Sequence, residues 1–297
     1  MAAITVAQAL NRAIPRLRDA GVRKPERDAR ILLCHVLATD KSAIIAHPER
    51  ELNAGERDLF FALVIRRCRF EPVQYLTGVQ PFWDTYVKVG KGCLIPRPET
   101  EILVEETTRI AAGFKSPVIA DLGCGSGAIL KALSGSISGA RFMGLDLENE
   151  ALCWAKQNLE GLRECVLLKA DFGGKKAVLK SIDILVSNPP YITPGEFKKL
   201  PAEIRKYEPE TALLASDPLE PYRKIALFAE AALKPGGFLL FEIGSAQALR
   251  HRAFSGLSKD LEVVSRIKDY GGKLRVMVLK RIKPSGRFES KLYGRSI

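Results

Sequence analysis

Apolar residues recur every three to four positions through the first 70 or so residues of the chain. The first such stripe lies on one helical face and consists of Val6, Leu10, Ile14 and Leu17. A second helix is predicted to begin near Pro25, and Asn53 and Glu56 have the spacing of a capping box at the start of a later one. These patterns predict a small domain built only of helices, which we place at residues 1–72.

The character of the sequence changes after residue 72, where Pro, Gly and aromatic residues become frequent. Between Phe82 and Val89 apolar and polar residues alternate, which predicts a β-hairpin closed near residues 90–92. We therefore expect residues 73–97 to form a β-hairpin linker between two domains.

From residue 98 onward short β-rich runs alternate with helical stretches. The runs are at 118–122, 141–146, 165–170, 182–187, 237–243, 261–267 and 275–279. Such alternation predicts an α/β domain, here 98–282, with a mostly parallel seven-stranded sheet covered on both faces. Only a short turn separates the last two runs. Because parallel strands need a long crossover, these two are expected to form an antiparallel hairpin at the sheet edge.

The composition is that of a globular protein, and its charge is strongly basic. Of 297 residues, 46% are apolar and 27% charged, and 46 Lys and Arg against 34 Asp and Glu give a net charge of +12. A basic chain favours acidic partners, nucleic acid among them. Between Lys273 and Ile297, however, eight basic residues stand against one acidic residue. More than half of the surplus therefore lies near the end of the chain, and residues 283–297 are expected to be either a solvated basic tail, which we favour, or a dedicated binding patch.

The cysteines and histidines do not have the spacings of a metal site. No CxxC pair occurs among Cys34, Cys68, Cys93, Cys124, Cys153 and Cys165. This usage predicts reduced thiols in a cytoplasmic protein, with no metal. No apolar run approaches the ~18 residues of a membrane span, so no membrane partner is expected.

A glycine-rich loop follows the first predicted strand of the sheet and opens a helix. Its sequence, residues 121–127, is Asp-Leu-Gly-Cys-Gly-Ser-Gly. Glycines let the backbone turn sharply and approach a ligand, and a helix N-terminus offers N–H groups that lack helical partners. Asp146 ends the second strand, where a carboxylate can accept hydrogen bonds from both ribose hydroxyls. The pattern therefore predicts a ligand that contains a nucleoside.

Asp121 bears on which nucleoside this is. Gly123, Gly125 and Ala128 also fit the fingerprint of a dinucleotide site, so a nicotinamide cofactor is an alternative, as is a purely structural turn. A carboxylate before the turn repels a pyrophosphate but attracts the ammonium of an amino-acid moiety. The loop thus favours S-adenosylmethionine, with S-adenosylhomocysteine as product. Phe172, after the third strand, is a candidate to pack on the adenine ring or, alternatively, a core residue.

The sequence Asn188-Pro189-Pro190-Tyr191 directly follows the fourth strand. Prolines fix φ and have no N–H, so their carbonyl groups can only accept hydrogen bonds. The Asn188 side chain and the Pro189 carbonyl can accept both hydrogens of one planar NH2 group, on which Tyr191 can stack. An amide nitrogen is a poor nucleophile because its lone pair is delocalised. Holding both hydrogens directs that lone pair at the methyl group. The transfer then needs positioning and electrostatic stabilisation rather than a metal.

The loop and the Asn-Pro-Pro-Tyr motif together resemble class I S-adenosylmethionine-dependent methyltransferases that act on planar nitrogens. Three further segments resemble the HemK/PrmC family of protein-(glutamine-N5) methyltransferases: Tyr-Leu-Thr-Gly at 75–78, Ile-Pro-Arg-Pro-Glu-Thr-Glu at 95–101, and Tyr-Glu-Pro with Ala-Leu at 207–213. The resemblance runs from about Ile31 to Leu279. It implies a Rossmann-like fold and, as acceptor, the glutamine in the Gly-Gly-Gln loop of class-one peptide chain release factors.

The resemblance also implies roles for individual residues. The cofactor would contact Gly123, Cys124, Gly125, Ser126, Gly127, Asp146, Phe172 and Asn188. The glutamine would be bound by Asn188, Pro189, Pro190 and Tyr191, of which Asn188, Pro189 and Tyr191 would be catalytic. The helical domain would bind the release factor, and Tyr207, Glu208 and Pro209 would either shape a channel for its tip or serve packing.

Other functions remain open from the sequence alone. An adenine-N6 or guanine-N2 methyltransferase acting on DNA or RNA is the first, because the net charge of +12 suits phosphate. An oxidoreductase and a non-catalytic adaptor that keeps the fold are the others. We expect nucleic acid to be an unlikely partner and the release factor to be the substrate.

Overall fold

A computed structural model describes residues 4–171, 181–244, 254 and 256–282. The described residues form two compact units. The helical unit comprises those within 1–80, 89–91 and 200–208, and the sheet unit comprises those within 81–88, 92–199 and 209–297. Phe172 and the basic tail at 283–297 lie outside the described residues.

The helical unit is built from amphipathic helices whose apolar faces meet in one core. Its helices are α1 (Val6–Asp19), α2 (Pro25–Val36), α3 (Lys41–Ala46), α4 (Ala54–Cys68) and α5 (Val73–Thr77). The predicted capping box is confirmed, because the Asn53 side chain accepts a hydrogen bond from the backbone N–H of Glu56 at the start of α4. Leu17, Leu32 and Phe60 are fully buried where the helices pack together.

The expectation of helices only is wrong in one detail. Two short strands, β1 (Ile4–Thr5) and β2 (Glu51–Leu52), pair antiparallel. Beyond them, the backbone N–H groups of Val6 and Ala7 donate to the carbonyl groups of Arg50 and Pro48. The first N–H groups of any helix lack partners within it, and this pairing satisfies two of those of α1. A two-residue strand is too short to leave an alternating pattern in the sequence.

The hairpin is also corrected. Its strands are β3 (Val79–Phe82) and β4 (Thr85–Lys88), so the chain turns at Trp83 and Asp84 rather than near residues 90–92. Trp83 has a φ of 56°, a conformation that glycine usually supplies. Two bonds hold it there: its backbone N–H donates to the Glu101 carboxylate at 2.9 Å and its indole N–H to the Ser136 hydroxyl at 3.2 Å. Local sequence carries no signal for such distant partners.

In the described part of the sheet unit, seven strands form one sheet. They are β5 (Val118–Leu122), β6 (Arg141–Asp146), β7 (Cys165–Lys169), β8 (Ile182–Ser187), β9 (Leu233–Glu242), β10 (Leu261–Lys268) and β11 (Leu274–Arg281). Their order is β10-β11-β9-β8-β5-β6-β7. Strands β5 to β9 pair parallel, while β11 pairs antiparallel with both β9 and β10. The predicted parallel sheet with an antiparallel edge hairpin is confirmed.

Helices connect most of these strands, as the alternating pattern predicted. The remaining helices are α6 (Glu101–Ala111), α7 (Ala128–Ser136), α8 (Asn149–Asn158), α9 (Pro194–Phe197), α10 (Ala202–Tyr207) and α11 (Glu220–Ala232), with 3-10 turns at Pro98–Thr100 and Glu210–Ala212. Helix α10 lies within the helical unit, although its sequence follows β8. The chain therefore enters the helical unit a second time.

The order of the strands reverses at the centre of the sheet: from β5 the chain continues to β6 and β7 on one side and then to β8 and β9 on the other. Strand β5 pairs with β6 on one side and with β8 on the other, and all residues of β5 and β8 are buried. In an open parallel sheet, ligands bind beyond the carboxyl ends of the strands at such a point. The Gly-rich loop follows β5 and the Asn-Pro-Pro-Tyr motif follows β8, so the fold brings both to the carboxyl ends of the central strands.

A buried ion pair joins helices of the helical unit. Arg67, only 3% exposed, donates from Nε to the Asp28 carboxylate at 2.8 Å and from a terminal nitrogen to Glu203 in α10. Asp28 is itself 1% exposed. Neighbouring Arg66 pairs instead with Glu71 and is half-exposed.

Removal of the Arg67 side chain is expected to destabilise the protein strongly. In Arg67→Ala the buried Asp28 carboxylate loses its buried partner and keeps only the half-exposed Arg27, which bonds to its Oδ1. Breaking a buried pair costs about 3–5 kcal/mol when the remaining charge has no other partner, so we expect a loss of up to that size. The matched change Arg66→Ala removes a half-exposed pair and should cost about 0–1 kcal/mol. Urea unfolding followed by circular dichroism measures both free energies. Equal losses would show that the burial of Arg67 carries no special weight.

Candidate active site

The Gly-rich loop is anchored to the end of the neighbouring strand β6. The backbone N–H groups of Gly123 and Cys124 both donate to the carbonyl of Leu145, at 2.8 and 2.9 Å. Gly125 donates its N–H to the Asp146 carboxylate at 2.8 Å. Gly123 and Gly125 have φ values of 74° and 55°, which a residue with a Cβ rarely adopts. The loop thus depends on glycine and on the acid that the sequence singled out.

Asp146 is positioned by backbone groups on both of its oxygens. Its Oδ2 accepts from Gly125, and its Oδ1 accepts from the N–H of Glu148 at 3.0 Å. The residue is buried, being 9% exposed. Each carboxylate oxygen has a second lone pair, so both can still accept a hydrogen bond from a ligand hydroxyl.

Asp121 differs from the other aspartate buried in the central strands. Asp183 on β8 accepts from the Val118 N–H at 2.9 Å and from Lys234 at 2.8 Å. Both oxygens of Asp121 are buried and have no hydrogen-bond partner among the described residues. Burial, together with the charge of Asp146, raises the pKa of Asp121 to about 8. A buried carboxyl group without a partner is unfavourable, and a cation would supply what is missing.

The end of β8 is held by bonds that sequence reasoning did not find. The Ser187 hydroxyl donates to the carbonyl of Leu122 at 2.7 Å and joins the ends of β8 and β5. The Asn188 amide N–H donates to the Thr100 hydroxyl at 3.1 Å. Thr100 in turn donates to the Glu242 carboxylate at 2.6 Å. The signals available were a threonine inside the 95–101 segment and an acid inside the apolar run of β9.

One cavity of about 430 Å³ joins the two motifs. Its wall includes residues 123–126 of the loop, Asp146, Thr100, and Asn188, Pro189 and Pro190. A volume of roughly 300–1,000 Å³ is usual for a small-molecule site. The structure therefore brings together the predicted cofactor loop and the predicted amide acceptors.

Two predicted site residues lie outside that cavity wall. Gly127 begins α7, and a side chain there would come within 3.0 Å of Leu159 and 3.3 Å of Ala155, so its role is close packing on α8. Tyr191 packs partly buried against the core, and its hydroxyl donates to Glu242 at 3.3 Å. Burial and the nearby Glu242 charge raise the pKa of the Tyr191 hydroxyl. The stacking role of Tyr191 stays a prediction.

The place predicted for Phe172 falls outside the described residues. The cavity wall includes Leu147, Ala170 and Asp171, and Leu147 is 54% exposed although apolar. Leu147 directly follows Asp146, so an exposed apolar side chain lies next in sequence to that carboxylate. Sequence reasoning did not single out Leu147, although an apolar residue after the strand-ending acid was a visible signal.

The three residues predicted as one channel belong to two units. Pro209 lies in the cavity wall, in the sheet unit. The Tyr207 hydroxyl donates to the backbone carbonyl of Arg69, within the helical unit. Glu208 is buried there as well.

No group of three or more His, Cys, Asp or Glu side chains in the described ranges is arranged to hold a metal ion. In those same ranges, no helix is long and apolar enough to cross a membrane.

Comparison with known proteins places this site in a family. Residues 8–78 match the PrmC N-terminal domain, and residues 115–271 match a methyltransferase domain. The release factor glutamine methyltransferase of Fusobacterium nucleatum is 33% identical over 285 residues, covering 94% of this chain and 80% of that protein. Those of Cereibacter sphaeroides and Moorella thermoacetica are 37% and 36% identical, covering 91% and 94% of this chain and 96% and 99% of theirs. The chain therefore belongs to the family of release factor glutamine methyltransferases.

Proposed function

We propose that this protein transfers a methyl group from S-adenosylmethionine to the side-chain amide nitrogen, N5, of the glutamine in the Gly-Gly-Gln loop of class-one peptide chain release factors. The observation that carries the proposal is the single cavity whose wall contains both the Gly-rich loop and Asn188, Pro189 and Pro190. The names of relatives at 33–37% identity support the choice of glutamine over a nucleobase.

The residues in and around the Gly-rich loop fit this cofactor. Asp146 would accept from the ribose hydroxyls and Leu147 would pack on the adenine, both from the cavity wall. Asp121 is fully buried and is not part of that wall, but it directly precedes Leu122 and the loop, and it would pair with the ammonium of the methionine moiety. The unpartnered oxygens of Asp121 are the feature that fits an ammonium and not a pyrophosphate. When bound, S-adenosylmethionine supplies a methyl group that its sulfonium already activates.

The acceptor end would hold the glutamine by its amide hydrogens. One hydrogen would bond to the Asn188 side-chain oxygen and the other to the Pro189 carbonyl. These two contacts direct the nitrogen lone pair and become stronger as positive charge builds on nitrogen, so they favour the transition state over the ground state. Proline at both following positions removes N–H donors that would compete for the same oxygens.

The helical domain at 1–72 would bind the release factor. Residues 73–97 would link this domain to the methyltransferase domain at 98–282. The protein would act in the cytoplasm. The match of residues 8–78 to the PrmC N-terminal domain supports this division. In the helical unit Ile45, Leu59 and Ile65 are 61%, 49% and 49% exposed, respectively.

The direct test is methyl transfer from labelled S-adenosylmethionine to purified release factor. We expect label on wild-type release factor, and none on a release factor whose Gly-Gly-Gln glutamine is replaced by alanine. Duplex DNA and RNA are the comparison substrates. Label on nucleic acid but not on release factor would reject the proposal in favour of the base-modifying alternative.

Loss of the Asn188 side chain is expected to abolish most of the activity. Asn188→Ala removes one of two acceptors for the target amide, and loss of one such contact lowers kcat by about 100- to 1,000-fold. The measurement is single-turnover methylation of release factor, with circular dichroism to show that the fold is intact. Activity within a few-fold of wild type would remove Asn188 from the reaction.

Loss of the Asp146 side chain is expected to weaken cofactor binding. Asp146→Ala removes charged acceptors worth ~1.5–3 kcal/mol, or about 10- to 150-fold in Kd for S-adenosylhomocysteine. The control is Glu164→Ala, an exposed acid just before β7, at the opposite end of the sheet. Calorimetry measures both. An unchanged Kd for the Asp146 variant would contradict the assignment.

Cofactor binding is expected to release a proton from Asp121. Its pKa of about 8 means that the carboxyl group is mostly protonated at pH 7 in the free protein, whereas pairing with an ammonium requires the ionised form. Affinity should therefore rise as the pH rises towards 8, by at most about tenfold per pH unit, and then level off. Calorimetry of S-adenosylhomocysteine in buffers of different ionisation enthalpy counts the protons. Equal proton release by wild type and Asp121→Asn would contradict this prediction.

A further inference from the structure

A chain of three hydrogen-bonding groups runs from the end of β9 to the acceptor motif. Glu242, 1% exposed, is the last residue of β9. One of its oxygens accepts from the Thr100 hydroxyl at 2.6 Å, and the other accepts from the Tyr191 hydroxyl at 3.3 Å. The Thr100 oxygen accepts from the Asn188 amide nitrogen at 3.1 Å. A single buried carboxylate thus contacts, directly or through Thr100, both ends of the Asn-Pro-Pro-Tyr motif.

The order of donors along this chain is fixed by chemistry. The Thr100 hydroxyl has a single proton and donates it to Glu242. The Thr100 oxygen can then only accept from Asn188, and only the nitrogen end of the Asn188 carboxamide can donate. The nitrogen therefore faces Thr100, and the oxygen is the end turned away from it. An asparagine that must accept from a substrate N–H needs this orientation and not the reverse.

The surroundings of Glu242 bear on its ionisation. Burial raises the pKa of the carboxyl group, and the charge of Glu99 acts in the same direction. The hydrogen bonds from Thr100 and Tyr191 and the positive charge of Arg275 lower it. Arg275 is itself paired with Asp269 at 2.9 Å, which keeps its guanidinium in place. The net result is a pKa above the ordinary value of a glutamate, because burial outweighs the two hydrogen-bond donors and the cation that oppose it.

We propose that Glu242 is a positioning residue, which acts through Thr100 to turn the Asn188 side-chain oxygen towards the substrate amide. Without Glu242 the Thr100 proton has no carboxylate to bond and can donate to the Asn188 oxygen, which reverses the carboxamide. The inference rests on the proposed function, because the orientation matters only for a substrate that donates N–H groups. It also gives a physical role to Thr100, which lies in the 95–101 segment.

The test is a double-mutant cycle on single-turnover methylation of release factor. Glu242→Leu and Thr100→Val each interrupt the hydrogen bonds that connect Glu242 to Asn188. Each should lower the rate of methylation by about 100-fold, as expected for one misdirected contact in the transition state. Because both act through the same carboxamide, the double variant should be no slower than either single one. Thr100→Ser keeps the hydroxyl and should restore the rate to within about threefold of wild type.

Matched controls separate orientation from structure. Thr107 is also fully buried and donates to the Leu103 carbonyl, and Glu106 is a buried acid paired with Arg109, both on α6. Thr107→Val and Glu106→Leu should leave the rate within about threefold of wild type. The Kd for S-adenosylhomocysteine, measured on all variants, should stay within about threefold, since a positioning effect on the acceptor changes kcat and not cofactor binding.

Three outcomes would overturn the inference. The first is that either single variant methylates at the wild-type rate. The second is that the two losses multiply, to about 10,000-fold, which would mean that Glu242 and Thr100 act independently. The third is that cofactor affinity falls in parallel with the rate. A wild-type protein that methylates no glutamine would overturn the proposed function as well, so the two failures are distinguishable.

Discussion

The parallel pairing of β5 with β6 and β8 is the constraint on which the site depends. It places the Gly-rich loop, Asp146 and the Asn-Pro-Pro-Tyr motif at one edge of the sheet, although they are separated by up to about 70 residues in sequence. Hydrogen bonds then hold the ends of these strands together. The backbone N–H groups of Gly123 and Cys124 donate to the Leu145 carbonyl, and the Ser187 hydroxyl donates to the Leu122 carbonyl. A ligand between these loops meets groups that are already in place, which reduces the entropy lost on binding.

Three buried acids of the sheet are satisfied in different ways. Asp183 is satisfied by Lys234 and a backbone N–H. Asp121 has no hydrogen-bond partner among the described residues, and Glu242 accepts from Thr100 and Tyr191, which connect it to the acceptor motif. Since a buried carboxylate is unfavourable without partners, these differences are the physical basis of the roles that we propose for Asp121 and Glu242.

Much of the fold and part of the site could be predicted from the sequence, for physical reasons. Strands β5, β6 and β8 have the predicted bounds, because a strand buried on both faces is a nearly continuous apolar run. Thr100 and Glu242, in contrast, are 142 residues apart, and their contact exists only once the sheet has formed. The hairpin turn at Trp83 escaped prediction for the same reason, since its φ is stabilised by Glu101 and Ser136 rather than by a local glycine.

The chain that follows the acceptor motif enters the helical unit before it returns to the sheet unit. Residues 200–208 begin nine residues after Tyr191, and they pack within the helical unit, where Glu203 bonds to Arg67 and Tyr207 to the Arg69 carbonyl. The chain then returns to the sheet unit at Pro209, in the cavity wall.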